Sequence, residues 1–398
     1  MNTVSMPPTT DVHPVVQGAQ DLIPLLREHL SQTAEQRRLP DSLLRAAADA
    51  GLFGLLVPAS LGGAAAGLRE FVDVARLLGQ GDPSAAWTMS FLIAHNWLLA
   101  RWPEPTQREV FTGDDLPLMA FSANSPNRVK QVPGGYELTG RWGFCSGVMN
   151  ATWVQLLGLV DGENGPELGL FLVPRDSVEV PDTWFMTGMQ GTGSHDVVAT
   201  DLFVDELFHC DFAQLESPSN PGSALHPEPV YSYDMRDILM PMIPAILLGA
   251  AQGLEQIYRQ LIETRRGAFS FLPSADTPVG QLRYAKVISH LRTGQALLDH
   301  VVQQTVSAAS HGPLSDEARV ELKLDCLSVS RSAYAAMQAI VHGSGVAIFR
   351  AGDITQHFAR DIEVMYNHRT VDQDGTMVRV GEVLLGRATD PHPTRNFT

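Results

Sequence analysis

Cysteine is scarce. Cys145, Cys210 and Cys326 are the only three in 398 residues, and none forms a CxxC pair or a metal-ligand spacing. That excludes a disulfide scaffold or zinc ribbon and leads us to expect the reduced thiols of a cytoplasmic protein. Positive charge is also short, with 28 Lys and Arg against 44 Asp and Glu and a formal net charge of −16. Nucleic acid and anionic membrane are therefore poor partners. No uninterrupted apolar run reaches the roughly 18 residues of a membrane span, and no secretory leader is evident. The common phosphate motifs are missing too. No P-loop lysine follows a glycine loop, and no helix-opening GxGxxG marks a nicotinamide site.

What is present suits a large core: 44% of residues are hydrophobic and 18% charged, enough for two or three subdomains. The opening stretch, roughly the first 20 residues, is polar and proline-bearing, and we expect it to be disordered. Residues 20–112 carry helical spacing at Ser42–Ala50, Leu68–Leu78 and Ala85–Ala100, with Asp82-Pro83-Ser84 as a start signal and Ser84 as the expected cap. Residues 113–215 switch to short strands, among them Leu116–Ala123, Trp153–Leu159 and Leu168–Val173, which read as a small antiparallel barrel. Gln214–Pro229 is rich in Ser, Pro, Asn and Gly, as in a linker or excursion loop. Residues 231–390 return to helical spacing at Leu239–Arg265, Gly280–Ser310, Ser315–His342 and Ile354–Tyr366, a four-helix bundle. The class is α+β.

Two segments carry the chemistry. In Trp184–Glu206 a turn holding Gly188, Gly191, Thr192, Gly193 and Ser194 runs into a strand at Asp196–Phe203. Glycine there lets a ligand approach the backbone, and Thr192 and Ser194 add hydroxyls; the plainer reading is a turn. In Gly134–Leu159, Trp142, Phe144 and Ser146 alternate, which places them on one face of a strand. They either wall a flat heteroaromatic ring or, for the two aromatics, fill the barrel.

These segments resemble the middle domain of the acyl-CoA dehydrogenase superfamily. So do LPDSLLRAAADAGLFGLLVPASLGG at residues 39–63 and HGSGVAIFRAGDITQHFARDIEVMYNH at residues 342–368. The resemblance runs from about residue 20 to 390 and implies a helical N-terminal domain, a middle barrel holding flavin, and a C-terminal bundle. The dehydrogenases of that superfamily need a glutamate base. After Arg360-Asp361 this chain reads Met365-Tyr366-Asn367-His368, with no glutamate, and near the start of the Leu239–Arg265 helix it offers only Asp237, with Glu255 deeper in.

His368 in its Tyr-Asn-His setting instead resembles the superfamily's flavin-dependent monooxygenases. That likeness implies the oxygenase component of a two-component system. Reduced flavin, FMNH2 or FADH2, comes from a separate reductase and reacts with O2 to a C4a-hydroperoxyflavin, which oxygenates a small aromatic or polyketide-like substrate. His368 would stand at the flavin edge as the catalytic acid–base group; its plain reading is a surface histidine. Trp142, Ser146, Thr192, Ser194 and Ser344 would hold the cofactor, with Ser146 also catalytic. Arg265 would reach a neighbouring subunit's flavin phosphate in a homotetramer, or simply stabilise a helix C-terminus. His95, in an otherwise apolar helix, is either a base for a substrate hydroxyl or a satisfied core histidine. Phe91, Phe121 and Met240 would line the substrate pocket. No metal is expected. The alternatives are a dehydrogenase or acyl-CoA oxidase using Asp237 or Glu255 as a relocated base, and a noncatalytic flavin-binding homologue.

Overall fold

A computed structural model of the protein describes residues 12–113, 115–162, 165–266, 271–309, 312, 314–350 and 352–388. The helical opening comprises α1 (Pro14–Asp21), α2 (Ile23–Gln36), α3 (Asp41–Asp49), α4 (Leu68–Gly81), α5 (Pro83–Leu99) and α6 (Glu104–Val110). The expectation of disorder fails for α1, where Pro14 occupies the first turn and the His13 imidazole accepts the Val15 N–H. Residues 1–11 lie outside the described residues. α5 is apolar on every face, and within it only Phe91 escapes full burial, the pattern of an interior helix. Its cap is Asp82, not Ser84: the Asp82 carboxylate accepts the N–H groups of Ser84 and Ala85. That leaves the Ser84 hydroxyl free for another bond.

The middle region supplies β1 (Met119–Arg128), β2 (Lys130–Val132), β3 (Gly135–Trp142), β4 (Trp153–Gly162), β5 (Gly165–Pro174), β6 (Val197–Asp205) and β7 (His209–Asp211). They form two sheets, ordered β1-β4-β5-β7 and β2-β3-β6. β1 lies parallel to β4, while the other pairs are antiparallel. Leu138, Trp142, Val154, Leu156, Phe171, Val173 and Val197 fill the space enclosed.

The chain then passes through α7 (Phe212–Glu216) and α8 (Met235–Leu239) into α9 (Met242–Thr264), α10 (Pro278–Ala309), α11 (Asp316–Ser344), α12 (Ile354–Tyr366) and α13 (Gln373–Leu384). Met235–Thr264 is long and apolar enough to cross a bilayer, yet 89% of its most apolar window is buried inside the protein. It is the central core element. α4 presses so closely on α9 that a Cβ on Gly249 would come within 1.9 Å of the Arg76 carbonyl, so only glycine fits the crossing. Between α7 and α8, one buried guanidinium gathers the excursion. Arg101, stacked 4.6 Å over Trp97, donates to the carbonyls of Leu215, Glu216, Ser217, Tyr231 and Tyr233.

Candidate active site

Where α5 meets the barrel, a chain of hydroxyls joins the two segments singled out by sequence. Thr192 Oγ1 and Ser194 Oγ lie 2.7 Å apart, Ser194 Oγ and Ser146 Oγ 2.8 Å apart, and Trp87 Nε1 donates to Ser146 Oγ at 3.1 Å. The structure thus unites Ser146, Thr192 and Ser194. Trp142 does not join them. It is fully buried in the barrel, its Nε1 donating to the Leu157 carbonyl at 2.7 Å. The expected alternation ends there, because β3 stops at Trp142 and Phe144 takes a left-handed φ of 58°. Phe144 is turned out instead, 61% exposed, and meets the edge of Trp184.

The glycines also have a different cause from the one expected. A Cβ on Gly188 would lie 2.3 Å from the Arg360 carbonyl, and one on Gly193 would lie 2.3 Å from the Arg37 carbonyl. Packing against α12 and the end of α2 demands glycine at both positions, with no ligand needed.

From Trp87 an aromatic row extends in both directions. His368 meets Trp87 edge-on at 5.1 Å, and Trp87 lies 4.9 Å from Phe91. Phe91 lies 5.4 Å from His95, His95 5.6 Å from Phe121, and Phe121 6.3 Å from Phe212. Trp87, Phe91 and His95 are spaced four apart, so they share one face of α5. Sequence reading missed Trp87, because a helix apolar all round shows no stripe. The row brings together His368, His95, Phe91 and Phe121, but not Met240. Met240 packs with Val301, Leu322 and Cys326 in a separate apolar cluster beside the bundle.

The two histidines are held in opposite tautomers. His95 Nδ1 lies 2.9 Å from the Met119 carbonyl. A carbonyl only accepts, so Nδ1 carries the proton and Nε2 presents a lone pair. His368 Nδ1 accepts the backbone N–H of Thr370 and sits 2.9 Å from the Thr370 hydroxyl. Its proton is therefore on Nε2. Burial drives both rings down to about 4, with Arg369 and Lys323 adding to the effect at His368; both are neutral near pH 7. Behind His368, Lys323 donates to the Thr370 carbonyl at 2.9 Å, its ammonium lowered by burial to about 8.

Arg265 and Ser344 meet each other at a different place. The Arg265 guanidinium donates to the Ser344 carbonyl, while the Ser344 hydroxyl turns back to the Ile340 carbonyl. Neither carboxylate proposed as a relocated base is free for that work. Asp237 is locked by Arg319 at 2.7 and 3.1 Å, and Glu255 accepts the Tyr284 hydroxyl at 2.7 Å. Cys145 is buried in the barrel, which raises its thiol well above the ordinary range, as for an inert packing residue.

Residues 20–113 match the acyl-CoA dehydrogenase N-terminal domain, and residues 242–373 match the acyl-CoA dehydrogenase C-terminal domain. A pigment production hydroxylase of Rhodococcus sp. (strain ATCC 21145) is 30% identical over 365 residues, covering 92% of this chain and 94% of the relative. The oxygenase component of an FADH(2)-dependent resorcinol hydroxylase from Rhizobium sp. (strain MTP-10005) is 27% identical, with 93% of each chain covered. Among solved structures, 3-HSA hydroxylase from Rhodococcus sp. RHA1 superposes with a TM-score of 0.88 at 27% identity, over 96% of this chain and 100% of that one. The chain belongs to the acyl-CoA dehydrogenase superfamily. Within that superfamily it is an oxidoreductase, the oxygenase component of a two-component flavin-dependent monooxygenase that works with reduced flavin and O2.

Proposed function

We propose that this monooxygenase hydroxylates a phenol-type aromatic substrate lying along the row between His368 and Phe121. One observation carries the reading: His95 is fixed as a neutral acceptor among Phe91 and Phe121. A buried lone pair accepts a hydroxyl donor, and the aromatic rings on either side of it favour a flat ring as the bearer of that hydroxyl. The resorcinol named for the Rhizobium relative supports the same substrate class.

The donor set fits a flavin ring. Ser146 is half-buried at the mouth of the hydroxyl chain, with the exposed Phe144 beside it. Ser146, Ser194 and Thr192 would hold the ring, and Arg265 would hold the phosphate end of a neighbouring subunit's cofactor, braced by the carbonyl of buried Ser344. Reduced flavin bound there supplies the electrons that activate oxygen. The chain's own part is to orient and to keep dry. His368 offers an Nε2 proton at one end of the row, His95 farther along it accepts from the substrate hydroxyl, and the rings between them exclude water.

We further propose FADH2 as the flavin, on the naming of the resorcinol relative, a homotetramer and a cytoplasmic location. Exposed apolar residues at Val346 (84%) and Phe349 (60%), close in sequence to Ser344, favour a subunit contact there. Three unpaired buried cysteines suit a reducing compartment. The test supplies reduced FAD or FMN from a separate reductase and offers phenols, indoles, thiophenes and aliphatic amines. Hydroxylated phenols are the expected product; turnover of aliphatic amines alone would sink the substrate assignment.

A further inference from the structure

Asp361 is buried on α12, seven residues before His368. Its Oδ1 accepts the Met189 N–H at 2.6 Å and its Oδ2 accepts the Ser84 hydroxyl at 2.7 Å. Met189 stands in a left-handed conformation, φ 55°, which a non-glycine residue keeps only when its surroundings enforce it. The Met189 carbonyl in turn accepts Thr192 Oγ1 at 2.9 Å and Trp184 Nε1 at 3.0 Å. From Thr192 the bonds continue through Ser194 and Ser146 to Trp87. Trp87 lies three residues beyond Ser84 on α5, and Ser84 returns to Asp361. The circuit closes.

One carboxylate therefore ties together the three segments that bear the site: the hydroxyl loop, α5 with its aromatic face, and α12 running to His368. We propose that Asp361 is a positioning residue for oxygen transfer, setting the spacing between the hydroxyls that hold the flavin and the histidine at its edge. Asp361 touches none of the reacting groups and acts only through Met189 and Ser84. His357 lies 3.5 Å from Asp361 Oδ2 and 3.9 Å from Asp82 Oδ1. Its charge is not needed for the circuit, because the two bonds to Asp361 require acceptor and donor geometry rather than a net charge. Asn at position 361 can accept from Met189 with its oxygen and donate to Ser84 Oγ with its amide.

The proposal rests on the monooxygenase reading, and the experiment separates the two. Asp361→Ala, Asp361→Asn and Ser84→Ala are made in the full chain. The fraction of consumed O2 that becomes hydroxylated phenol is measured with excess reduced FAD. Hydrogen–deuterium exchange of the segment spanning residues 184–194 is followed without flavin. In Asp361→Ala the product fraction should fall about tenfold or more, since a small misplacement costs that much, with the balance released as peroxide and substrate KM little changed. The same variant should exchange the Met189 segment about tenfold faster. Asp361→Asn should restore most of both. Ser84→Ala keeps the cap, which uses the Ser84 N–H, and should show a smaller loss of coupling; it is the variant that decides if Asp361→Ala does not fold. Wild-type coupling in Asp361→Ala, or in Ser84→Ala should that one have to decide, would overturn the proposal, as would failure of Asp361→Asn to recover beside a folded Asp361→Ala. Absence of product in the wild type with every phenol tested, with exchange responding as expected, would instead remove the substrate reading and leave the positioning circuit standing.

Discussion

Two tryptophans separate the barrel interior from its seam with α5. Trp142 and Trp87 are both buried, and both indole N–H groups find an acceptor. Trp142 donates to a main-chain carbonyl of β4, a partner that no ligand can replace. Trp87 donates to Ser146, a hydroxyl already shared with Ser194, and presents its ring to His368. The interior spends its polar groups on holding strands together. At the seam they lie within a network of hydroxyls that can exchange one partner for another. Burial alone does not distinguish a structural aromatic from one beside chemistry; the identity of its hydrogen-bond partner does.

The contrast can be tested from its strongest consequence downward. His368→Ala removes the only Nε2 donor on the row and should cut product formed per O2 by about 10²-fold. The oxygen should appear as peroxide, with thermal stability and flavin affinity near wild type; unchanged coupling would take His368 out of the mechanism. Trp142→Phe should cost about 1–3 kcal/mol of stability by stranding the Leu157 carbonyl and leave coupling untouched. Trp87→Phe should do the reverse. Denaturant melts beside peroxide assays read both, and like behaviour of the two variants would erase the distinction.

A pH series sharpens it further. His95 and His368 bind their proton at about 4 when folded, against 6.5 as the ordinary value. The unfolded chain therefore takes up protons first as pH falls. Their contribution is complete above 6.5, is lost progressively as pH drops to about 4, and is level below. Each site contributes a slope of at most about 1.4 kcal/mol per pH unit. His95→Gln should flatten the difference curve between those limits, and a parallel curve would mean the ring is not buried neutral. The smallest effect is expected at Met240→Leu, a near volume-conserving change costing less than about 1.5 kcal/mol, with the substrate profile unaltered.

Most of the element pattern was legible, because helical spacing and strand punctuation are local. The strands expected at Trp153–Leu159 and Leu168–Val173 appear within β4 and β5, and Ile354–Tyr366 is a helix to the residue. The hydroxyls of Ser146 and Ser194 were legible as well. For Trp142 the barrel alternative is the one the structure shows, and the shared face with Phe144 was misread because the alternation was carried past the end of β3, which the sequence does not mark. Met240 was misplaced because an apolar residue between two helices gives no hint of its neighbours. Asp361 was noticed as a landmark, but its bonding role was not legible, because its partners lie 172 and 277 positions away in the chain and no window of sequence spans them.

Arg101 has a bearing on how firmly the excursion is held. Its five acceptors are main-chain carbonyls, three at Leu215 to Ser217 and two at Tyr231 and Tyr233. A guanidinium that grips backbone is indifferent to the side chains on that backbone. The Arg101 grip itself would survive a change of side chain at those positions, but the stretch between Ser217 and Tyr231 is tied by its own residues. A Cβ on Gly222 would lie 2.1 Å from the Ala100 carbonyl, Asn220 donates to the Tyr231 carbonyl at 2.8 Å, and His226 pairs with Gln107 at 2.8 Å. Phe212, the last ring of the aromatic row, stands three residues before the first anchored carbonyl. The excursion is thus held at both backbone ends and in its middle, a rigid strap beside the ring of the row farthest from His368.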